Sequence, residues 1–158
     1  MKRPAAVDRV VEAARERGLD IEIREFPDGT RTAQEAADAI GVDVAQIVKS
    51  LAFAVDGSIV IALLSGANRL DEKALAAVAG ADHVERPNAD AVREATSYAI
   101  GGIPPFGYPA DLPTYADRDL LTLDVVWAAA GSHIHVFAIA PDALVRATNA
   151  QVADLAAR

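Results

Sequence analysis

The chain has no cysteine. That excludes a disulfide framework, a zinc-thiolate site and cysteine nucleophilic catalysis. Aromatic residues are scarce at 5%, so any core must be assembled from Val, Ile, Leu and Ala. Long apolar runs are missing too. The longest, Ser58 to Ser65, is far too short to cross a bilayer. The opening Met1 to Arg9 lacks the apolar stretch of a signal peptide, so a cytoplasmic protein that meets no membrane is expected. Positive charge is in deficit: the formal net charge is −8. Affinity for phosphate chains rests on Lys and Arg, so a nucleic-acid partner must be touched locally, at a small basic spot.

Several nucleotide and hydrolase signatures are absent as well. The chain has no Gly-x-Gly-x-x-Gly fingerprint, no Gly-x-x-x-x-Gly-Lys phosphate loop and no Gly-x-Ser-x-Gly elbow. Carboxylate pairs such as Asp71-Glu72 stand at a helix start, where they serve capping better than acid–base work.

What is present fits one domain over residues 1–158, with no repeat or long linker. Val7, Val10, Val11 and Ala14 recur at helical spacing between Pro4 and Arg17, and Gly18 stops that helix. Leu19 to Phe26 alternates as a half-buried strand. Thr32 and Glu35 form a capping box for a helix reaching Ile40, and Asp43 caps a short second one. Val48 to Val55 and Ser58 to Leu64 flank Asp56-Gly57, a type I′ hairpin dipeptide. The second of these strands is almost wholly apolar and reads as central and covered on both faces. Asp71 caps a helix through Ala79, Asp82 to Glu85 reads as a short strand, and Asn88 or Asp90 opens another helix. A loop rich in Gly and Pro runs from Gly101 to Pro113. Val125 to Ala129 and His135 to Ile139 read as strands, Pro141 opens a helix, and the tail from Ala150 reads as a last helical turn. Helices interleaved with hairpins predict an α+β fold: a curved mixed, largely antiparallel sheet flanked by helices.

Three places can carry chemistry. Lys49 lies at the mouth of the most apolar hairpin. There it is either a snorkelling lysine or an ammonium that binds phosphate or polarises a carbonyl. Gly101, Gly102, Ile103, Pro104 and Pro105 form a stiff loop whose backbone N–H groups can face a ligand, or else a tight surface connection. Gly131, Ser132 and His133 offer a hydroxyl and an imidazole, or an ordinary hairpin turn. His135 would share a face with His133 in a regular strand, but His83 is distant in sequence, so no metal site is expected.

The order of these motifs resembles the YbaK / prolyl-tRNA synthetase-associated editing family. Thr32-Ala33-Gln34-Glu35-Ala36-Ala37 with Gly41 resembles its Thr-x-x-Glu-Ala-Ala helix, and Lys49-Ser50-Leu51 its Lys-[Ser/Thr]-Leu strand start. Gly66 through Leu75 is similar to its Gly-x-x-Arg-Leu-Asp-x-Lys-x-Leu segment. Gly101 to Gly107 resembles its Gly-x-x-x-Pro loop, and Gly131 to His133 its late glycine loop. Ile134 stands where relatives with a Gly-x-His-Pro motif have proline.

The resemblance implies an aminoacyl-tRNA deacylase that edits a mischarged tRNA, typically one for proline. Lys49 would be its catalytic residue. Ser50, Gly101, Gly102, Ile103, Pro105, Gly131, Ser132 and His133 would form its substrate site. It also implies no cofactor, contact with the acceptor end of tRNA, an aminoacyl-tRNA synthetase as possible carrier, and a monomer. The competing reading is a non-catalytic module that binds aminoacyl-tRNA or a synthetase.

Overall fold

The computed structural model describes residues 3–158; Met1 and Lys2, part of the opening segment read above, lie outside it. Five helices are present among the described residues: α1 (Ala5–Glu16), α2 (Ala33–Ile40), α3 (Glu72–Ala79), α4 (Ala89–Thr96) and α5 (Pro141–Thr148). The strands are β1 (Arg24–Glu25), β2 (Val48–Val55), β3 (Ser58–Ser65), β4 (Val84–Glu85), β5 (Thr114–Asp117), β6 (Val126–Ala129), β7 (His135–Ile139) and β8 (Gln151–Ala153). Among the described residues no helix is long and apolar enough to cross a membrane.

The fold is α+β, as expected, and its strands divide between two sheets. One has the order β1-β7-β6 and the other β4-β2-β3-β5-β8. Pairing is antiparallel except that β3–β5 and β5–β8 are parallel. The sheets meet at a parallel bridge between Ile47 and Trp127.

Local chemistry accounts for most boundaries. Asp56 and Gly57 take φ of 47° and 86°, the positive values a type I′ turn demands, so β2 and β3 zip from Val55–Ser58 to Val48–Ser65. β3 is central, and its alternate side chains feed two cores. Ile61 and Leu63 join Val126, Ala128 and Phe137 between the sheets, while Val60 and Leu64 pack with Leu75 of α3 on the other side. Thr32 and Glu35 form the expected capping box of α2, and a similar box of Asp43 with Gln46 caps a 3₁₀ turn over Val44–Gln46. The Asp71 carboxylate accepts from the N–H groups of Lys73 (3.0 Å) and Ala74 (3.3 Å). Asp71→Ala removes both acceptors and is expected to lower stability by about 1 kcal/mol, read as a shifted urea midpoint at unchanged slope.

Three features differ from the expectation. The tail is not a helical turn. Gln151–Ala153 adds to β5 as a parallel edge strand, anchored by Leu155, whose N–H donates to Asp117 Oδ1 at 2.8 Å. β5 itself and the 3₁₀ segment Arg118–Thr122 had no counterpart in the sequence reading. The strand expected over Leu19 to Phe26 shrinks to Arg24–Glu25, although Ile21 and Ile23 still turn into the core.

Candidate active site

A cavity of about 440 Å³ opens between the two sheets, within the range of small-ligand sites. Its floor is β2 from Val48 to Phe53, and its walls come from β6, the loop before α2 and the loop after α4. Most of the lining is apolar. The charged side chains on it are Arg31, Lys49 and Arg86, all cationic. None of the three has a carboxylate within ion-pair distance among the described residues.

Lys49 is held at this cavity by β2, and its ammonium donates to the main-chain oxygen of Asn68. Asn68 is fixed in turn by donating its side-chain amide to Asp119 (2.8 Å) and Asp117 (3.3 Å). Burial pushes the Lys49 pKa below the ordinary lysine range, and the neighbouring Arg69 charge pushes it the same way. The result is a fixed, partly desolvated cation without a counter-ion among the described residues.

Gly101 and Ile103 also line the cavity. Gly101 has φ of 96°, a backbone that side chains resist. The expectation for Gly102 changes. Its N–H donates to the Ala99 oxygen (3.0 Å) and its oxygen accepts from Gly131 (3.0 Å), so neither group is free for a ligand. Gly102 instead allows close approach: a Cβ there would lie 2.8 Å from Ser132 Cα. The N–H groups of Gly101 and Ile103 have no partner among the described residues.

Gly131, Ser132 and His133 do not line the cavity; they buttress it. The His133 side chain is exposed, while its main-chain oxygen accepts from Thr30 N–H (2.9 Å) and from the Thr30 hydroxyl. The buried imidazole is His135, the first residue of β7, whereas His133 lies before the strand, in the turn. Its Nδ1 lies 2.6 Å from Ser132 Oγ, and its Nε2 lies 3.4 Å from Glu25. Ser132 Oγ also accepts from Ile134 N–H (3.1 Å). Pro105 sits elsewhere, on a second cavity of about 380 Å³ beside Arg17.

Of the nine expected site residues the structure therefore brings Lys49, Ser50, Gly101 and Ile103 to one cavity. The aminoacyl-tRNA editing domain family matches residues 27–147 of the chain, a span that contains this cavity. The chain belongs to that family.

Similar proteins agree with the assignment. YwhH of Bacillus subtilis is 33% identical over 125 residues, covering 78% of each chain. EbsC of Enterococcus faecalis, described as a proposed Cys-tRNA(Pro)/Cys-tRNA(Cys) deacylase, is 28% identical over 125 residues, covering 78% of this chain and 76% of its own. A solved structure described as a proposed trans-editing enzyme for prolyl-tRNA synthetase superposes with a TM-score of 0.94 at 41% identity, covering 99% of this chain and 100% of that one.

For an editing domain the sequence reading missed Arg31, Arg86 and Trp127, which all line the cavity. Trp127 is the lone tryptophan, and Arg24 stacks 5.3 Å from its ring centroid. A single tryptophan in so aromatic-poor a chain was the available signal. The arginines gave none, since Arg31 stands just before the Thr32 cap and Arg86 just after the short strand read over Asp82 to Glu85.

Proposed function

We propose that this protein is a trans-editing deacylase that hydrolyses the ester between a small non-cognate amino acid and tRNA(Pro). One observation carries the reading: a small apolar cavity whose charged lining groups are all cationic, in a chain of net charge −8. Such a cavity fits a small acyl group attached to an anionic backbone. The relation to EbsC and to the solved trans-editing relative supports tRNA(Pro) and action in trans. The protein acts as one cytoplasmic domain, a monomer that a synthetase can carry to its substrate.

In the reaction, water attacks the ester carbonyl, the tetrahedral oxyanion collapses, and the ribose oxygen leaves with a proton. The products are the free amino acid and the tRNA. Stabilising the oxyanion is the largest contribution a protein can make here. Lys49 supplies a fixed positive charge, and the unpaired N–H of Gly101 supplies a preorganised donor. The attacking water needs no protein base if the neighbouring ribose hydroxyl assists. Selection among amino acids rests on size, the logic of a sieve that admits small acyl groups.

Arg31 and Arg86 form the local basic spot that an acidic chain needs to hold the phosphates of the acceptor end. Replacing both with Gln is expected to raise KM at nearly constant kcat and to flatten its salt dependence. The log–log slope falls by roughly 0.7 for each phosphate that is no longer neutralised. An unchanged slope between 50 and 200 mM salt (roughly the range over which phosphate neutralisation is felt) would mean that these arginines do not touch the substrate.

The substrate claim is tested with tRNA(Pro) charged in turn with alanine, cysteine, serine and proline. Faster loss of one small non-cognate amino acid than of proline is the expected result. Binding without release of any amino acid would favour the non-catalytic module.

A further inference from the structure

β2 is an interior strand only in part. It pairs with β3 along its whole length, but β4 reaches it only at Ala54 and Val55. On the same side, among the described residues, the β1-β7-β6 sheet pairs with the chain only at the Ile47–Trp127 bridge, one residue before β2 begins. Between those two points the edge is open, and this is the stretch that floors the cavity.

The register fixes which main-chain groups point there. Gly66 N–H donates to the Ile47 oxygen (2.6 Å), so the Ile47–Gly66 pair is hydrogen-bonded. Ile61, opposite Ala52, donates its N–H to Pro113 (2.9 Å), away from β2. In an antiparallel ladder the two pair types alternate. Lys49, Leu51 and Phe53 therefore bond β3, whereas Ser50 and Ala52 turn their N–H and C=O groups into the cavity. No partner among the described residues meets them there, and enclosed main-chain groups left unmet are costly.

An aminoacyl ester brings one group for which the side chains of this cavity make no provision, its α-amino group. Arg31, Lys49 and Arg86 repel it, and among the described residues no carboxylate lines the wall. The acceptors on offer are main-chain oxygens on the open edge. We infer that the open edge of β2, through the main-chain carbonyls of Ser50 and Ala52, is the seat of the substrate's free α-amino group. This rests on the deacylase reading for the identity of the ligand and adds the group by which that ligand is recognised. The amine donates to the edge as an added strand residue would. The acyl carbon is thereby held beside Lys49, one residue along the same strand. Acyl groups without an amine lose this anchor.

Two stable adenosine analogues test it. In both the ester oxygen is replaced by NH, and they carry alanyl or propionyl, which differ only in the amino group. The alanyl analogue is expected to bind at least tenfold more tightly by calorimetry, a difference of about 1.4 kcal/mol. It is also expected to shift the carbonyl carbon resonances of Ser50 and Ala52, which the propionyl analogue leaves in place. Equal affinities, or binding of neither analogue at millimolar concentration, overturn the inference. Equal affinities alongside active ester hydrolysis would leave the deacylase reading standing. A strong alanyl preference without hydrolysis would sink that reading and keep the amine seat.

Discussion

Lys49→Ala is expected to lower single-turnover deacylation by about 10²–10³-fold, the usual loss when one group that stabilises an oxyanion is removed. The thermal unfolding curve should barely move. The ammonium makes one hydrogen bond, to Asn68, and no ion pair among the described residues, so alanine strands no buried charge. The pH profile carries the same information. Burial first, and Arg69 second, hold the Lys49 pKa below its ordinary 10.5. If the ammonium is the working form, activity falls as pH rises through that depressed value, so the alkaline limb begins below the usual lysine range. The stability linkage has the opposite sense: the charged form is disfavoured in the folded chain, so this group's cost is relieved as pH rises through its folded pKa. A wild-type rate in Lys49→Ala, measured on pre-charged tRNA, would remove Lys49 from the chemistry.

Gly102→Ala is expected to cost about 1–3 kcal/mol in folding and to depress turnover further. The new Cβ would sit 2.8 Å from Ser132 Cα and 2.9 Å from Ser132 N, both backbone atoms. The turn cannot yield cheaply. Gly131 N–H bonds Gly102, Ser132 bonds His135 and Ile134, and Thr30 bonds His133. The loop carrying Gly101 must therefore move instead, displacing the Gly101 N–H, which has no partner among the described residues. The urea midpoint reads the first effect and kcat the second. Native values for both would show that the close approach is slack.

Much of this fold was legible because local rules and tertiary needs agreed. Asp56-Gly57, the Thr32–Glu35 capping box and the Asp43 and Asp71 caps act within a few residues, and each appears where the spacing put it. The parts that were not legible depend on distant partners. Gln151–Ala153 becomes a strand only because β5 offers an edge, and β5 exists because β3 is open beside it. Leu19 to Phe26 shows the reverse case, in which the alternation was right but β7 pairs with only Arg24 and Glu25.

The site divides along the same line. Lys49 and the glycine loop were visible as unusual chemistry in sequence. The role of Gly102 was not, because a missing Cβ reads as freedom until Ser132 is seen against it. His133 looked like the pocket histidine, yet the turn exposes its ring and buries His135 two residues later. Arg31 and Arg86 lie far apart in sequence and come to one cavity only in the fold.

The most direct test of the central claim is release of labelled amino acid from mischarged tRNA(Pro), with enzyme in excess over substrate and spontaneous hydrolysis run alongside. The account predicts single-exponential release well above the spontaneous rate for at least one small non-cognate amino acid, with Pro-tRNA(Pro) comparatively spared. Release at the spontaneous rate for every species, from a folded protein that still binds the tRNA, would contradict it.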